Sequence, residues 1–213
     1  MRLPLTLLLT IAIVSPCRAD CVPEKMVKVV FREVTPGIDR GSFAAKPKTL
    51  YRLGSKYGRT EEALDSALKI HGLIVVDEPD VWMINLVTRT GQHIVDTGEP
   101  YHFHAPIVGG PDDPEAIKEL EFGCEMDFMK AHGAGPARKG TLDGREVDQY
   151  VVTIDTYRIV LSVSPKSARP VGFSVYESDK PHYDMRYLEY ANDLEPRGKL
   201  FQRPEGIEYE DAK

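Results

Sequence analysis

The sequence predicts a mainly β protein with α content, in which a curved antiparallel sheet is covered by one helix. Between 73 and 96, short segments rich in Val, Ile and Trp are separated by turn residues, which is typical of β-hairpins. The same pattern returns from 140 to 190, after a single amphipathic helical stretch. At least eight strands and one helix can bury their apolar faces only if the sheet curves strongly or nearly closes.

The N-terminus, residues 1–19, is predicted to be a secretory signal peptide. Arg2 precedes a nearly continuous apolar run over 3–14, and the small Ala19 suits a cleavage site. A run of about a dozen residues is too short to span a membrane, so no transmembrane segment is expected in the mature chain. A lipid anchor at Cys17 is the alternative, although Pro16 fits a lipoprotein cleavage site poorly. We therefore expect a periplasmic or secreted protein.

The mature chain is acidic, and this argues against a nucleic-acid partner. The full sequence has 27 basic and 33 acidic residues, and loss of Arg2 and Arg18 with the leader leaves a charge of about −8. Binding to nucleic acid would require a basic stripe, whereas the longest basic cluster is the pair Arg138-Lys139. The length of 20–213 suits a single domain with a charged C-terminal tail, and we expect a monomer.

The first half of the mature chain is predicted to be mostly β. Turns are expected at Pro36-Gly37, Pro79-Asp80 and Thr90-Gly91. The stretch 60–71 allows two interpretations, because Ala63, Leu64, Ala67 and Leu68 fit a helical face while the position between strands favours an extended connection. Strands are predicted over 26–34, 49–53, 73–76, 81–87 and 92–95.

One helix is predicted to begin at Pro111-Asp-Asp-Pro114 and to run to about Ala131, followed by a meander. Asp113 can cap the helix and Pro114 suits its first turn. Apolar residues then recur at steps of three and four, and Cys124 lies on that face. Beyond Gly133 and Gly135, turns are expected at Asp143-Gly144 and over 177–180. Strands are predicted over 140–142, 147–154, 158–164, 171–176 and 182–190.

Two cysteines, Cys21 and Cys124, remain after the leader is removed. In an oxidising compartment such a pair favours a disulfide over a metal or redox site. Two free thiols are the alternative, since spacing alone does not show that the sulfurs meet.

No motif in the sequence specifies a reaction, and no catalytic residue, metal ligand or cofactor is predicted. His93, His102 and His104, with the acidic turn around Asp80, could form a metal site, but zinc-type spacing is missing. Calcium-loop, nucleophile-elbow and phosphate-loop patterns are also missing. Surface histidines and turn carboxylates are the favoured interpretation of these residues.

The order of parts resembles the superfamily of periplasmic outer-membrane lipoprotein carriers, the Lol-type proteins. The resemblance lies in the signal peptide, Lys48-Thr-Leu-Tyr-Arg-Leu53, the hairpin around Asp80-Val-Trp-Met-Ile-Asn-Leu86, a central helix, and the final Phe201-Gln-Arg-Pro-Glu-Gly206. It covers most of the mature chain. The sequence departs from the family in having one clear helix where a carrier has several lid segments.

This resemblance implies an unclosed β-barrel whose apolar face binds acyl lipid or a lipidated protein without catalysis. The residues expected to line that face are Trp82, Ile84, Leu86, Leu161, Phe173 and Met185. Burial of acyl methylenes against such a face is worth about 0.8 kcal/mol each. A secreted structural or interaction module with a filled core is the first alternative, and a metal-dependent hydrolase is the second.

Overall fold

The structure, a computed structural model, describes residues 21–43, 45–98, 101–104 and 115–211, in which twelve strands form one sheet. The first six strands are β1 (Met26–Glu33), β2 (Lys48–Leu53), β3 (Tyr57–Glu62), β4 (Gly72–Asp77), β5 (Asp80–Asn85) and β6 (Thr90–Val95). The other six are β7 (Arg138–Leu142), β8 (Arg145–Ile154), β9 (Tyr157–Val163), β10 (Pro170–Glu177), β11 (Lys180–Leu194) and β12 (Glu208–Asp211). Two short helices, α1 (Glu115–Lys118) and α2 (Glu125–Ala131), precede β7, and a 3₁₀ turn spans Gly198–Phe201.

The sheet consists of two meanders that meet along one central pair of strands. Its order is β12-β6-β5-β4-β3-β2-β1-β11-β10-β9-β8-β7. Strands β1 and β11 pair antiparallel, with Phe31 opposite Tyr187. Strand β12 is the exception to the antiparallel pattern, because it runs parallel to β6. The sheet therefore ends at β12 on one side and at β7 on the other, and it is mixed and unclosed.

Most predicted strands are confirmed. In these segments the alternation of apolar residues and the turn residues at the ends indicate the same strand. Asp143 and Gly144 both have positive φ, as do Ser178 and Asp179, which is what two-residue hairpin turns require. The turn predicted at Thr90-Gly91 was placed wrongly: those residues begin β6, and the turn covers 86–89, with Arg89 at positive φ. The stretch 60–71 is not helical; it ends β3 and continues as a turn closed by the Asp65–Ile70 bridge.

The sheet is strongly curved around one core. Val81 on β5 and Val152 on β8 belong to the same buried cluster although seven strands lie between theirs. Neighbouring strands lie about 4.8 Å apart, so a flat sheet would hold these side chains far from each other. The face that carries this cluster is called the inner face here, and its opposite the outer face.

Where one continuous helix was predicted to run to Ala131, the described residues from 115 onward form two short helices, α1 and α2. Between them, Gly123 has φ +88°, a left-handed conformation that interrupts helical hydrogen bonding. Cys124 then precedes α2 at its N-terminus. No helix among the described residues is long and apolar enough to cross a membrane. The predicted leader 1–19, Cys17, and the helix start at Pro111–Pro114 lie outside the described residues.

Candidate functional site

The inner face is a continuous apolar surface built by strand alternation. Every second side chain of β1 and of β8–β11 points into the main core. The members contributed by these strands are Val27, Val29, Phe31, Val152, Ile159, Leu161, Val163, Phe173, Val175, Tyr183, Met185 and Tyr187, all buried. The surface therefore runs across the junction of the two meanders without a break.

The six residues predicted to line a ligand site fall into two groups on opposite faces. Leu161, Phe173 and Met185 lie together in the main core and are at most 1% exposed. Trp82 and Ile84 belong to a second cluster on the outer face. Leu86, half-buried in the turn after β5, packs against that second cluster. The six therefore do not share one lining, and their role in binding stays a prediction.

The outer-face cluster is covered by residues 195–211, called the C-terminal segment. Ile207 and Tyr209 pack against the cluster that contains Trp82. Phe201 is buried, and its ring lies 5.7 Å from that of Tyr57. The guanidinium of Arg89 donates to the carbonyl of Gly206 at 3.0 Å, so the segment is held before β12 begins. This outer cluster is thus closed off by the chain itself.

The inner face is covered by residues 101–104 and 115–135, called the lid. Phe122 of the lid packs against Phe31, with ring centroids 4.7 Å apart. Phe103 lies directly over Gly58 of β3, where an added Cβ would be 2.0 Å from the ring. Only glycine permits this approach, so the position of Phe103 depends on Gly58.

A buried guanidinium fastens the lid to the sheet. Arg52 of β2 donates to the carbonyl of Phe122 at 2.9 Å and to that of Cys21 at 3.2 Å. Its Nη2 also forms an ion pair with Glu121 at 2.6 Å. Arg52 is 1% exposed, so these contacts replace its lost hydration. Lid and sheet are therefore joined here by charged and polar contacts.

A second buried polar group, Glu125 at the start of α2, extends this attachment. Its carboxyl accepts hydrogen bonds of 2.7 Å from the hydroxyls of both Tyr187 and Tyr190 on β11. The backbone N–H of Gly123 donates to it as well, at 3.1 Å. Complete burial raises the pKa of Glu125 above its usual value, and the hydrogen bonds oppose that shift.

The predicted disulfide is confirmed and lies beside this polar cluster. Cys21 and Cys124 are bonded with an S–S distance of 2.06 Å and Cα atoms 5.8 Å apart. The bond ties the residue that precedes α2 to the segment leading into β1. Because Arg52 donates to the carbonyl of Cys21, the covalent and ionic attachments of the lid share one location.

The inner face is less covered toward β5 and β6. Val76 and Val81 are buried, yet Met83, two positions further along β5 on the same face, is 45% exposed. Ile74 opposite Met83 and Ile94 opposite Val81 are only partly buried against the core. An apolar strip therefore leads from solvent to the main core.

The histidines considered for a metal site are engaged in other contacts. His93 pairs with Asp80 at 2.6 Å and stacks on Trp82. His102 pairs with Glu121 at 2.6 Å and stacks on His104, whose pKa is lowered by burial and by the nearby His102. Within the described ranges, no three His, Cys, Asp or Glu side chains are arranged to hold a metal ion.

Sequence reasoning missed Arg52 and Glu125, the two ionisable residues that attach the lid. A weak signal was present, since Arg52 follows Leu50 at the alternation that turns side chains of β2 inward. For Glu125 the sequence offers no such signal, because its partners lie more than sixty positions away.

No protein-family model and no curated protein matches the chain. Its fold is similar to that of an uncharacterized conserved protein from Thermus thermophilus, which is 12% identical with a TM-score of 0.50; the match covers 89% of this chain and 91% of that one. A LolA superfamily protein from Nitrosomonas europaea is 12% identical with a TM-score of 0.34, covering 85% and 91%. A putative outer membrane lipoprotein-sorting protein domain from Vibrio parahaemolyticus is 10% identical with a TM-score of 0.36, covering 83% and 89%. At 12% identity or less, these likenesses concern the fold alone.

Proposed function

We propose that the protein binds the acyl chain of a lipid or lipidated protein on its inner face, without catalysis. The observation that carries this proposal is the continuous apolar inner face beneath a lid whose charged and polar contacts to the sheet include those of Arg52 and Glu125. A lid attached in this way can separate from the apolar surface while Arg52 and the disulfide keep it in place.

The strip formed by Ile74, Met83 and Ile94 is the proposed entrance. An acyl chain that starts there would reach Leu161, Phe173 and Met185 by displacing lid side chains. Each methylene that leaves water contributes about 0.8 kcal/mol, so a chain of a dozen or more carbons can outweigh the loss of the lid's apolar contacts. No reacting group is needed, and we assign no catalytic residue.

The cell envelope or the extracellular space is the proposed location. The apolar leader sequence suits export, and the bond between Cys21 and Cys124 suits an oxidising compartment. Acyl chains attached to lipids and lipoproteins are present in that setting.

A structural or interaction module with a filled core is the second candidate. It is favoured by the burial of Leu161, Phe173 and Met185, which leaves them no contact with solvent in this conformation. The two candidates differ in one respect: a carrier must open its lid, and a filled module need not.

The decisive experiment is mass spectrometry of solvent extracts and native protein, on residues 20–213 purified from an exporting host without detergent. We expect copurified acyl lipid, and saturable uptake of a fluorescent fatty acid after its removal. Met83→Glu should weaken that uptake at least about tenfold, because it places a charge at the entrance. Val95→Glu is the matched control, since Val95 is 56% exposed on the outer face of the neighbouring strand.

An empty protein that takes up no fatty acid would overturn the proposal and favour the filled module. Equal loss of uptake in Met83→Glu and Val95→Glu would overturn the proposed entrance.

A further inference from the structure

The disulfide between Cys21 and Cys124 is accessible at one end and buried at the other. Cys124 is 2% exposed, whereas Cys21 is half-buried. Residues 21–25, which begin with Cys21, belong to no helix or strand, and the neighbouring Val22 is 51% exposed. A thiol in solution can therefore approach Cys21, while the fold shields Cys124.

The two sulfurs also have different polar neighbours. Nη1 of the Arg52 guanidinium lies 3.7 Å from Sγ of Cys124, in position to donate a hydrogen bond to it. Nη2 of the same group is paired with Glu121, so the effect on the sulfur comes from a directed N–H and not from an excess of positive charge. Sγ of Cys21 lies 3.5 Å from a carboxylate oxygen of Asp127, whose side chain is 63% exposed.

These surroundings make the two sulfurs unequal as leaving groups. A disulfide exchanges when a thiolate attacks one sulfur and the other departs as a thiolate, and departure is faster when the leaving thiol has the lower pKa. A neighbouring guanidinium lowers the pKa of a thiol, whereas a neighbouring carboxylate raises it. Cys124 is thus the better leaving group, and Cys21 is the sulfur that an attacking thiolate reaches.

The buried site can also hold Cys124 after the bond is broken. The carbonyl oxygen of Cys21 lies 3.2 Å from Sγ of Cys124 and can accept the hydrogen of its thiol. The lid remains attached by Arg52, which donates to a lid carbonyl, and by Glu125, which accepts from Tyr187. Opening the disulfide therefore converts a covalently bonded lid into one held by hydrogen bonds and an ion pair.

We propose that the bond between Cys21 and Cys124 is a thiol–disulfide exchange site that an external dithiol opens. One thiolate of the dithiol attacks Sγ of Cys21, the bond between the cysteines breaks, and Cys124 departs with the electron pair as a thiolate beside Arg52. The second thiolate of the dithiol then attacks the dithiol's own sulfur in the mixed disulfide and releases Cys21 as a thiolate. Both cysteine thiolates take up the protons that the dithiol lost, so the dithiol is oxidised and the protein disulfide is reduced by two electrons. This site does not depend on the proposed acyl binding.

The first measurement identifies the attacked sulfur. The folded, oxidised mature chain 20–213 is treated briefly with mercaptoethanol, quenched with acid, and alkylated with N-ethylmaleimide in denaturant. Peptide mass spectrometry should find the mercaptoethanol adduct on Cys21 and the maleimide on Cys124, in at least about a tenfold excess over the reverse product. A smaller excess, or a majority of the reverse product, would overturn the proposal.

The second measurement separates direct exchange from exchange through unfolding. With dithiothreitol, the rate of reduction should rise in proportion to the dithiol concentration. It should change little in guanidinium chloride below the unfolding transition, because direct attack exposes no further surface. A rate that stops rising at the rate of global unfolding would overturn the proposal, because the bond would then be closed to thiols in the folded chain.

Substitution of Asp127 tests the carboxylate beside Cys21. That carboxylate repels an attacking thiolate, so Asp127→Asn should be reduced by dithiothreitol roughly two- to fivefold faster than the parent. Glu205→Gln removes the same charge at an exposed position of the C-terminal segment and should match the parent. Equal rates in Asp127→Asn and the parent, or equal acceleration in Glu205→Gln, would overturn the attack at Cys21.

Discussion

At the scale of single residues, the lid is positioned by two ionisable side chains in places where strand and helix patterns predict apolar ones. Arg52 has acceptors on the lid and at Cys21, and Glu125 has two tyrosine hydroxyls on β11. Each partner comes from a distant part of the chain, so local pattern does not identify it. A buried charge is tolerated only where such partners exist.

Burial of Glu125 leads to a prediction about pH. Because its folded pKa is raised above the usual 4.5, the native state keeps a proton that the unfolded state releases. Its contribution to stability is therefore fully present below pH 4.5 and decreases as pH rises through the folded pKa. Glu125→Gln keeps the shape of the side chain and cannot ionise. The unfolding free energy of this variant should therefore vary less with pH than that of the parent.

Denaturant titrations of the parent and of Glu125→Gln from about pH 4.5 to 8 measure this difference. Asp127→Asn, at an exposed position of α2, is the control and should follow the parent. Parallel pH curves for the parent and Glu125→Gln would contradict the prediction.

At the scale of elements, the β-hairpins were predictable from the sequence. The place of strand β3 and the break between α1 and α2 were not. Strands β4, β5 and β6 follow from alternation between Leu73 and Val95, because turn residues separate them. Strand β3 has the sequence Tyr-Gly-Arg-Thr-Glu-Glu, which carries no apolar alternation, and its place is set by its neighbours. The helix break depends on the left-handed backbone at Gly123, which a periodic apolar pattern does not reveal.

Strand β12 was also unpredicted, since its four residues, Glu208 to Asp211, are mostly acidic. It forms because Ile207 and Tyr209 pack on the outer-face cluster and bring the strand beside β6. Tertiary packing thus decides the conformation of a segment that composition alone would leave as a tail.

The C-terminal segment provides a fluorescence prediction, because Trp82 is the single tryptophan of the chain and lies beneath it. Ile207→Asp places a charge against the outer-face cluster and should loosen the segment at a cost of about 1–3 kcal/mol. We expect red-shifted Trp82 emission and faster acrylamide quenching. Glu205→Gln is the control at an exposed position of the same segment. An unchanged spectrum in Ile207→Asp would contradict the packing described.

At the scale of the whole molecule, the curved, unclosed sheet with a helical cover was predictable from strand number and the single amphipathic stretch. The assignment of six residues to one lining was not, because alternation shows which residues of a strand share a face but not which face turns inward. Leu161 and Trp82 both lie in apolar rows, yet the curvature places them on opposite sides. Which face of a strand turns toward the core is therefore determined by the curvature of the complete sheet.

The disulfide leads to a prediction about global stability. It closes a loop with a sequence separation of 103, so its loss should reduce the free energy of unfolding by about 4–5 kcal/mol in the chain-entropy model. Guanidinium titrations of the parent and the double variant Cys21→Ala, Cys124→Ala measure this change. Reductant should lower the parent's midpoint and leave the double variant unaffected. Identical midpoints for parent and double variant would contradict the prediction.

The pairing of β1 with β11 has a consequence for how the chain folds. Each meander consists of contacts between neighbours in sequence, whereas Phe31 and Tyr187 meet across more than 150 residues. Closing so long a loop is slow relative to hairpin formation. The two meanders can therefore form early and independently. The apolar inner face becomes continuous only when β1 pairs with β11.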